Sequence, residues 1–121
     1  MIASKHGWRV GSGEPSGPAR CRVIDVQPSG THTVLLLRHS GGARSSVEVP
    51  ARPDRAAAVS SLAGLRRVLE VRMESGIGAR ASVIGIGGRH RLVQRQISLP
   101  SALALAGDGV RTTVVCTAIT A

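Results

Sequence analysis

Apolar residues alternate or run together in short segments that Gly and Pro residues separate, and the first such segments predict strands. Residues 21–26 are rich in β-branched side chains, and residues 45–49 alternate until Pro50. Between them, a strand over 31–39 contains a continuous apolar run at 33–37, which is typical of a central strand covered on both faces. Short turns join these segments, so we predict three antiparallel strands.

A helix is predicted next, over 53–65. Pro53 suits a first helical turn, and Asp54 favours the positive N-terminal end of a helix. An apolar stripe at helical spacing follows, formed by Ala58, Leu62, Leu65 and Leu69. The end of this stripe also alternates like a strand. We therefore expect the helix to stop near Gly64 and a strand to span 67–74.

The second half of the chain contains a five-residue glycine-rich motif twice, as Gly-Ile-Gly-Ala-Arg at 76–80 and as Gly-Ile-Gly-Gly-Arg at 85–89. We interpret the two copies as tight turns that need glycine at positive φ and that bracket one strand. The remaining predicted elements are a strand over 81–84, a strand over 89–98, a short helix over 99–106 and a strand over 110–119.

The predicted order, βββα-βββα-β, indicates one small α+β domain over 21–121. We expect a mixed, mainly antiparallel sheet with two short helices on one face. Two small sheet–helix halves that share a core are the alternative. Residues 1–20 are predicted to form a flexible tail, because residues 11–18 are Gly, Ser and Pro-rich. Trp8 is expected to be partly exposed there, although it could also anchor the tail to the domain or to a partner.

Composition adds two constraints. The chain has no Phe, no Tyr and one Trp, so branched aliphatic residues must pack the core. We expect modest stability, and a second copy or a partner could complete part of the core. The net charge is +9, with 15 Arg and the single Lys5 as the basic residues, which points to a polyanionic or acidic partner. GC-rich codons would explain the preference for Arg over Lys, but not the basic surplus.

The strongest local charge feature lies between Arg80 and Arg95, a segment without acidic residues. On one strand, Arg89, Arg91 and Arg95 would share a face and form a row that follows a phosphate backbone. The alternative is a solvent-facing edge strand whose charges prevent aggregation. The candidate anion-binding residues are Arg80, Arg89, Arg91, Arg95, Arg66 and Arg67.

Other chemistry has little support. The glycine-rich turns complete neither GxGxxG nor a P-loop. Cys21, His32, His39 and Cys116 lack metal-ligand spacing, and a buried thiol is expected at Cys116, with a disulfide as the alternative. No carboxylate pair is placed for acid–base catalysis. We expect no cofactor, no bound metal and no catalytic residue.

The sequence thus favours a small, basic, non-enzymatic binding module that holds nucleic-acid phosphate through Arg without base-specific readout. The alternative is a protein-interaction subunit, either a homo-oligomer or the partner of an acidic protein. No leader and no apolar stretch of membrane-spanning length is visible, so a cytoplasmic protein is expected.

Overall fold

Two three-stranded meanders and a last strand build one mixed sheet in the computed structural model, which describes residues 19–74 and 80–116. The elements in chain order are β1 (Ala19–Ser29), β2 (His32–His39), β3 (Arg44–Val49), α1 (Arg55–Ser61), β4 (Arg67–Glu74), β5 (Arg80–Ile86), a 3-10 turn (Gly88–His90), β6 (Leu92–Ile97), α2 (Leu99–Gly107) and β7 (Thr112–Cys116). The strand order is β3-β2-β1-β7-β4-β5-β6.

The last strand, β7, lies in the middle of the sheet. It is antiparallel to β1 and parallel to β4, and all the other neighbouring strands are antiparallel. Val114 in β7 is fully buried, as expected for a strand with neighbours on both sides. The predicted α+β class and the predicted order of elements are confirmed, and the two βββα halves share one continuous sheet.

Several boundaries differ from the predictions. Helix α1 ends at Ser61 because the chain turns through Gly64, whose φ is +83°, and Leu69 therefore belongs to β4. The predicted strand over 89–98 begins only at Leu92, since the 3-10 turn comes first. β1 already includes Ala19 and Arg20. The rest of the predicted tail, with Trp8, lies outside the described residues, as do residues 75–79 and 117–121.

The two copies of the glycine-rich motif do not both form the predicted tight turns. Gly85 belongs to β5, and the two positive-φ residues of the following turn are Arg89 and His90, with φ of 58° and 56°. The prediction that glycines at 85–88 supply positive φ is therefore wrong. Most of the first copy lies outside the described residues.

A different repeat relates the two halves. Arg-Val-Ile-Asp-Val at 22–26 in β1 matches Arg-Val-Leu-Glu-Val at 67–71 in β4. Each copy has a β-bulge at the same place, between Val23 and Asp25 in β1 and between Val68 and Glu70 in β4. A bulge needs one extra residue in its strand, and here the extra residues are Ile24 and Leu69. The halves are thus related in both sequence and local geometry.

The core contains no aromatic side chain within the described residues. Helix α2 packs on β1, β4 and β5 and also contacts α1, so residues 101–105 are all buried. Ser98 caps α2, and its hydroxyl accepts a hydrogen bond from the Ser101 amide. Leu35, Leu37 and Met73 are the largest of the fully buried strand residues. None of the described helices is long and apolar enough to cross a membrane.

Gly85 allows β5 to approach the bulged part of β4. A Cβ atom at residue 85 would collide with the backbone carbonyl oxygen of Arg67 and would lie 3.3 Å from Leu65 Cδ1. We predict that Gly85→Ala lowers the free energy of unfolding by about 1–3 kcal/mol, measured by chemical denaturation. Gly88→Ala is the control, because a Cβ atom there meets nothing within 4 Å. Equal stability of the two variants would contradict this packing account.

Candidate functional site

The sheet face opposite the helices, here called the open face, is not covered by any described element. Side chains alternate along each strand, so this face takes the positions between the buried ones. In β2, for example, Val34, Leu36 and Arg38 lie between the buried Thr33, Leu35 and Leu37. The open face is therefore the large surface available for a ligand within the described part of the chain.

Four arginines line up across this face, perpendicular to the strands. Arg44 in β3 pairs with Arg38 in β2, and Arg38 pairs with Arg22 in β1. Arg22 lies opposite Thr113 in β7, and Thr113 lies beside Arg72 in β4. We call Arg44, Arg38, Arg22 and Arg72 the arginine row. Neighbouring strands are roughly 5 Å apart, so Arg22 and Arg72, on either side of β7, have Cα atoms about 10 Å apart.

The first three members of the row are exposed, and each lies directly opposite the next on the neighbouring strand. Within the described residues, Arg44, Arg38 and Arg22 have neither an ion pair nor a side-chain hydrogen bond. Like charges placed directly opposite each other destabilise a sheet. An anion bound across the three guanidinium groups would remove this repulsion.

Glu70 holds the fourth member of the row in place. Its Oε2 atom accepts hydrogen bonds from Arg72 Nε at 3.3 Å and from Thr113 Oγ1 at 3.1 Å. Burial opposes ionisation of Glu70, but these hydrogen bonds and the charges of Arg72 and Arg111 outweigh it. The pKa of Glu70 therefore lies below its ordinary value of 4.5. Thr113 is only 7% exposed and lies in register between Arg22 and Arg72.

A groove of about 530 Å³ opens beside the row, where β1 continues past the start of β7. Arg22, Arg38 and Arg111 contribute to its lining, together with Asp25, the end of α2 and the segment after it. A second depression, of about 320 Å³, has Arg20, Arg72 and Arg80 in its lining. Both depressions are bordered by members of the row, so a bound anion has concave surface available beside the guanidinium groups.

The structure distributes the sequence-predicted arginines over several surfaces. Arg67 and Arg80 begin β4 and β5 at opposite ends of this antiparallel pair, and both are exposed. Arg66 directly precedes β4. The single-strand row predicted for Arg89, Arg91 and Arg95 is wrong in its geometry, because Arg89 and Arg91 lie in the turn before β6. Whether any of these residues binds an anion remains a prediction.

Arg95 faces the helix layer instead. Its Nη1 atom donates hydrogen bonds to the carbonyl oxygens of Ser61 and Ala63, both at 2.8 Å. These carbonyls belong to the end of α1 and the turn after it, where a positive charge stabilises the helix. Arg95 therefore holds the end of α1 in place, a role that its position in the predicted strand did not indicate.

The cysteine and histidine candidates fall into two places. His39 lies between Cys21 Sγ, 3.2 Å from its Nδ1, and Ser45 Oγ, 2.7 Å from its Nε2. Cys21 is only 1% exposed, whereas His39 and Ser45 are half-buried, so the thiol of this hydrogen-bonded group is not an accessible nucleophile. His32 is at the opposite end of β2, about 23 Å along the strand. The side chain of Cys116 lies outside the described residues, and those described form no cluster of three metal-binding side chains.

Comparison with known proteins adds no further assignment. No model of a known protein family matches the chain, and no curated protein matches its sequence.

The lowered pKa of Glu70 predicts acid sensitivity. A carboxylate with a depressed pKa in the folded state stabilises the fold above its unfolded pKa and loses that contribution as the pH falls through the folded value. We expect the free energy of unfolding to decrease below about pH 4.5, and Glu70→Gln to reduce this acid-dependent part. Denaturation curves measured across acid pH check the expectation.

Thr113 offers a matched pair of controls for the same experiment. Thr113→Val removes the hydroxyl donor to Glu70 and should weaken the acid-dependent loss, whereas Thr113→Ser keeps the donor. An acid profile of Glu70→Gln that matches that of the unmodified protein would contradict the role given to Glu70.

Proposed function

We propose that this protein is a small, basic, non-enzymatic module that binds the phosphate backbone of nucleic acid on the open face of its sheet. The arginine row is the observation that supports the proposal. Its four guanidinium groups lie across neighbouring strands with no acidic residue among the aligned positions. A polyanion offers such a row several negative charges at once.

Arginine suits this role for two reasons. The planar guanidinium group binds phosphate oxygens through two parallel hydrogen bonds, and it stays charged at every physiological pH. Arg22, Arg38 and Arg44 are exposed and have no competing intramolecular ion pair within the described residues. Their side chains are therefore available to a ligand without the cost of breaking an internal interaction.

Recognition should depend on charge and shape rather than on base identity. Proteins that read single-stranded bases stack them on aromatic rings, and this chain has no Phe and no Tyr. The described open face instead presents half-buried aliphatic residues beside the arginine row, such as Leu36 and Ile84. Duplex or structured nucleic acid fits such a face better than an extended single strand.

The proposed site adds arginines to those predicted from the sequence and places the predicted ones nearer its margin. Arg22, Arg38, Arg44 and Arg72 form its centre, and Arg67 and Arg80 lie on the same sheet nearer its margin. Arg89 and Arg91, held in the turn before β6, are peripheral candidates, as is Arg66. A cytoplasmic location, which suits this function, also stays a prediction.

A protein-interaction subunit is the second candidate. The observation in its favour is apolar exposure: Leu92 is 69% exposed and Val59 is 67% exposed. These two residues lie on β6 and α1 and do not form one patch with the arginine row. An acidic protein partner would also bind in a salt-sensitive way, so competition with a duplex oligonucleotide distinguishes shared from separate surfaces.

We predict that the purified, nuclease-treated protein binds a duplex oligonucleotide with an affinity that falls steeply as salt increases. The double variant Arg22→Ala/Arg38→Ala should weaken binding to all sequences equally and reduce the slope of log affinity against log salt by about two, one for each lost phosphate contact. Fluorescence anisotropy over a salt series measures both quantities.

The variant Arg89→Ala/Arg91→Ala is the charge-matched comparison, because it also removes two positive charges. We expect it to bind more tightly than the Arg22→Ala/Arg38→Ala variant at every salt concentration. Equal losses would show that only net charge matters. A larger loss from the Arg89→Ala/Arg91→Ala variant would move the site to the turn before β6, and weak binding by the unmodified protein at every salt would overturn the proposal.

A further inference from the structure

The outer edge of β3 carries backbone groups that β2 does not use. The His39 amide donates a 2.8 Å hydrogen bond to the Ala43 carbonyl at the turn between these strands. Hydrogen-bonded and non-hydrogen-bonded pairs alternate along an antiparallel ladder. Ser45 and Val47 are therefore bonded to β2, and the N–H and C=O groups of the alternate residues point outward. Those alternate residues are Arg44, Ser46 and Glu48.

The same three residues carry a self-complementary charge pattern on the open face. If a second β3 strand pairs antiparallel with the first about Ser46, Arg44 of each copy lies opposite Glu48 of the other. This register also joins the outward backbone groups of all three residues. A shift of two residues in either direction would place Arg44 or Glu48 opposite Ser46 and lose both ion pairs. Charge therefore selects one register.

Glu48 remains available for this contact. Among the described residues, the one basic side chain within 4 Å of its carboxylate is His32, whose Nε2 lies 3.9 Å from Glu48 Oε1, and both side chains are substantially exposed. On the other face of β3, Val47 of each copy would lie opposite Ser45 of the other, so no charge opposes the pairing on that face. Cross-strand pairs of opposite charge stabilise a sheet, and β3 would gain two of them.

The other edge of the sheet lacks these features. The Gly87 amide donates to the Arg91 carbonyl at 2.8 Å, so the same alternation directs the backbone of Leu92, Gln94 and Gln96 outward on β6. These side chains are neutral and give no charge preference for one register over another. An unprotected edge strand is a template for pairing, and β3 is the edge whose side chains specify the partner.

From these observations we infer that the protein forms a two-fold homodimer through antiparallel pairing of its β3 strands, centred on Ser46. The two-fold axis is perpendicular to the sheet, so both open faces lie on the same side. The two arginine rows then approach each other at their Arg44 ends, beside the contact between the two β3 strands. The dimer itself does not depend on the proposed nucleic-acid function. It pairs Arg44 with Glu48 of the second copy and leaves Arg38, Arg22 and Arg72 of each row for an anion.

The test is a charge-swap series on the full-length chain, measured by sedimentation velocity over a range of concentrations. The unmodified protein should form dimers. Glu48→Arg and Arg44→Glu should each raise the dimer dissociation constant by about ten-fold or more, because each places like charges opposite each other twice. An equimolar mixture of these two variants should form heterodimers, since every Arg then faces a Glu. The double swap Arg44→Glu/Glu48→Arg should restore the homodimer.

Two further variants test whether dimerisation uses the backbone of β3 and whether it uses the β6 edge. Ser46→Pro removes an outward N–H that the β2–β3 ladder does not use, so it should prevent dimerisation and leave the circular dichroism spectrum unchanged. Gln94→Arg on the β6 edge should have no effect on dimerisation. A monomeric unmodified protein, or a mixture of Glu48→Arg and Arg44→Glu that stays monomeric, would overturn the inference. Neither result bears on the salt-dependent binding of oligonucleotide.

Discussion

The fold depends on the pairing of β7 between β1 and β4. Each half of the chain forms its own three-stranded meander, and the only strand that joins them into one sheet comes from the end of the described chain. Val71 and Met73 on one side and Cys21 on the other lie beside buried residues of β7. Without this strand, the two meanders would expose their inner edges to solvent, which short sheets tolerate poorly.

The same pairing creates the candidate site. Thr113 in β7 aligns Arg22 in one half with Arg72 in the other, and so joins arginines that are 50 residues apart in the sequence. Glu70 fixes Arg72 beside Thr113, whereas Arg22 and its neighbours in β2 and β3 face one another without an acidic partner among the described residues. A sheet that tolerates this repulsion has a surface suited to a polyanion.

The sequence predicts those parts of the structure that local chemistry determines. Strand alternation and turn residues gave the order of elements, and Val71 and Met73 placed β4 correctly. The helix at 53–65 was predicted too long because the turn at Gly64 follows several residues of good helical spacing. The arginine row could not be predicted, since its members belong to four strands whose alignment depends on the pairing register. The repeated Arg-Val-x-acid-Val pattern was the one available signal for the bulges in β1 and β4.

The most direct test of this account follows the arginine side chains themselves. Nuclear magnetic resonance of the guanidinium Nε–H groups, recorded during titration with a duplex oligonucleotide, reports which arginines meet the ligand. We predict that the signals of Arg22, Arg38 and Arg72 shift together along one saturation curve, and that Arg95 does not respond because it binds the end of α1. Shifts confined to Arg89 and Arg91, or no shifts at all, would contradict it.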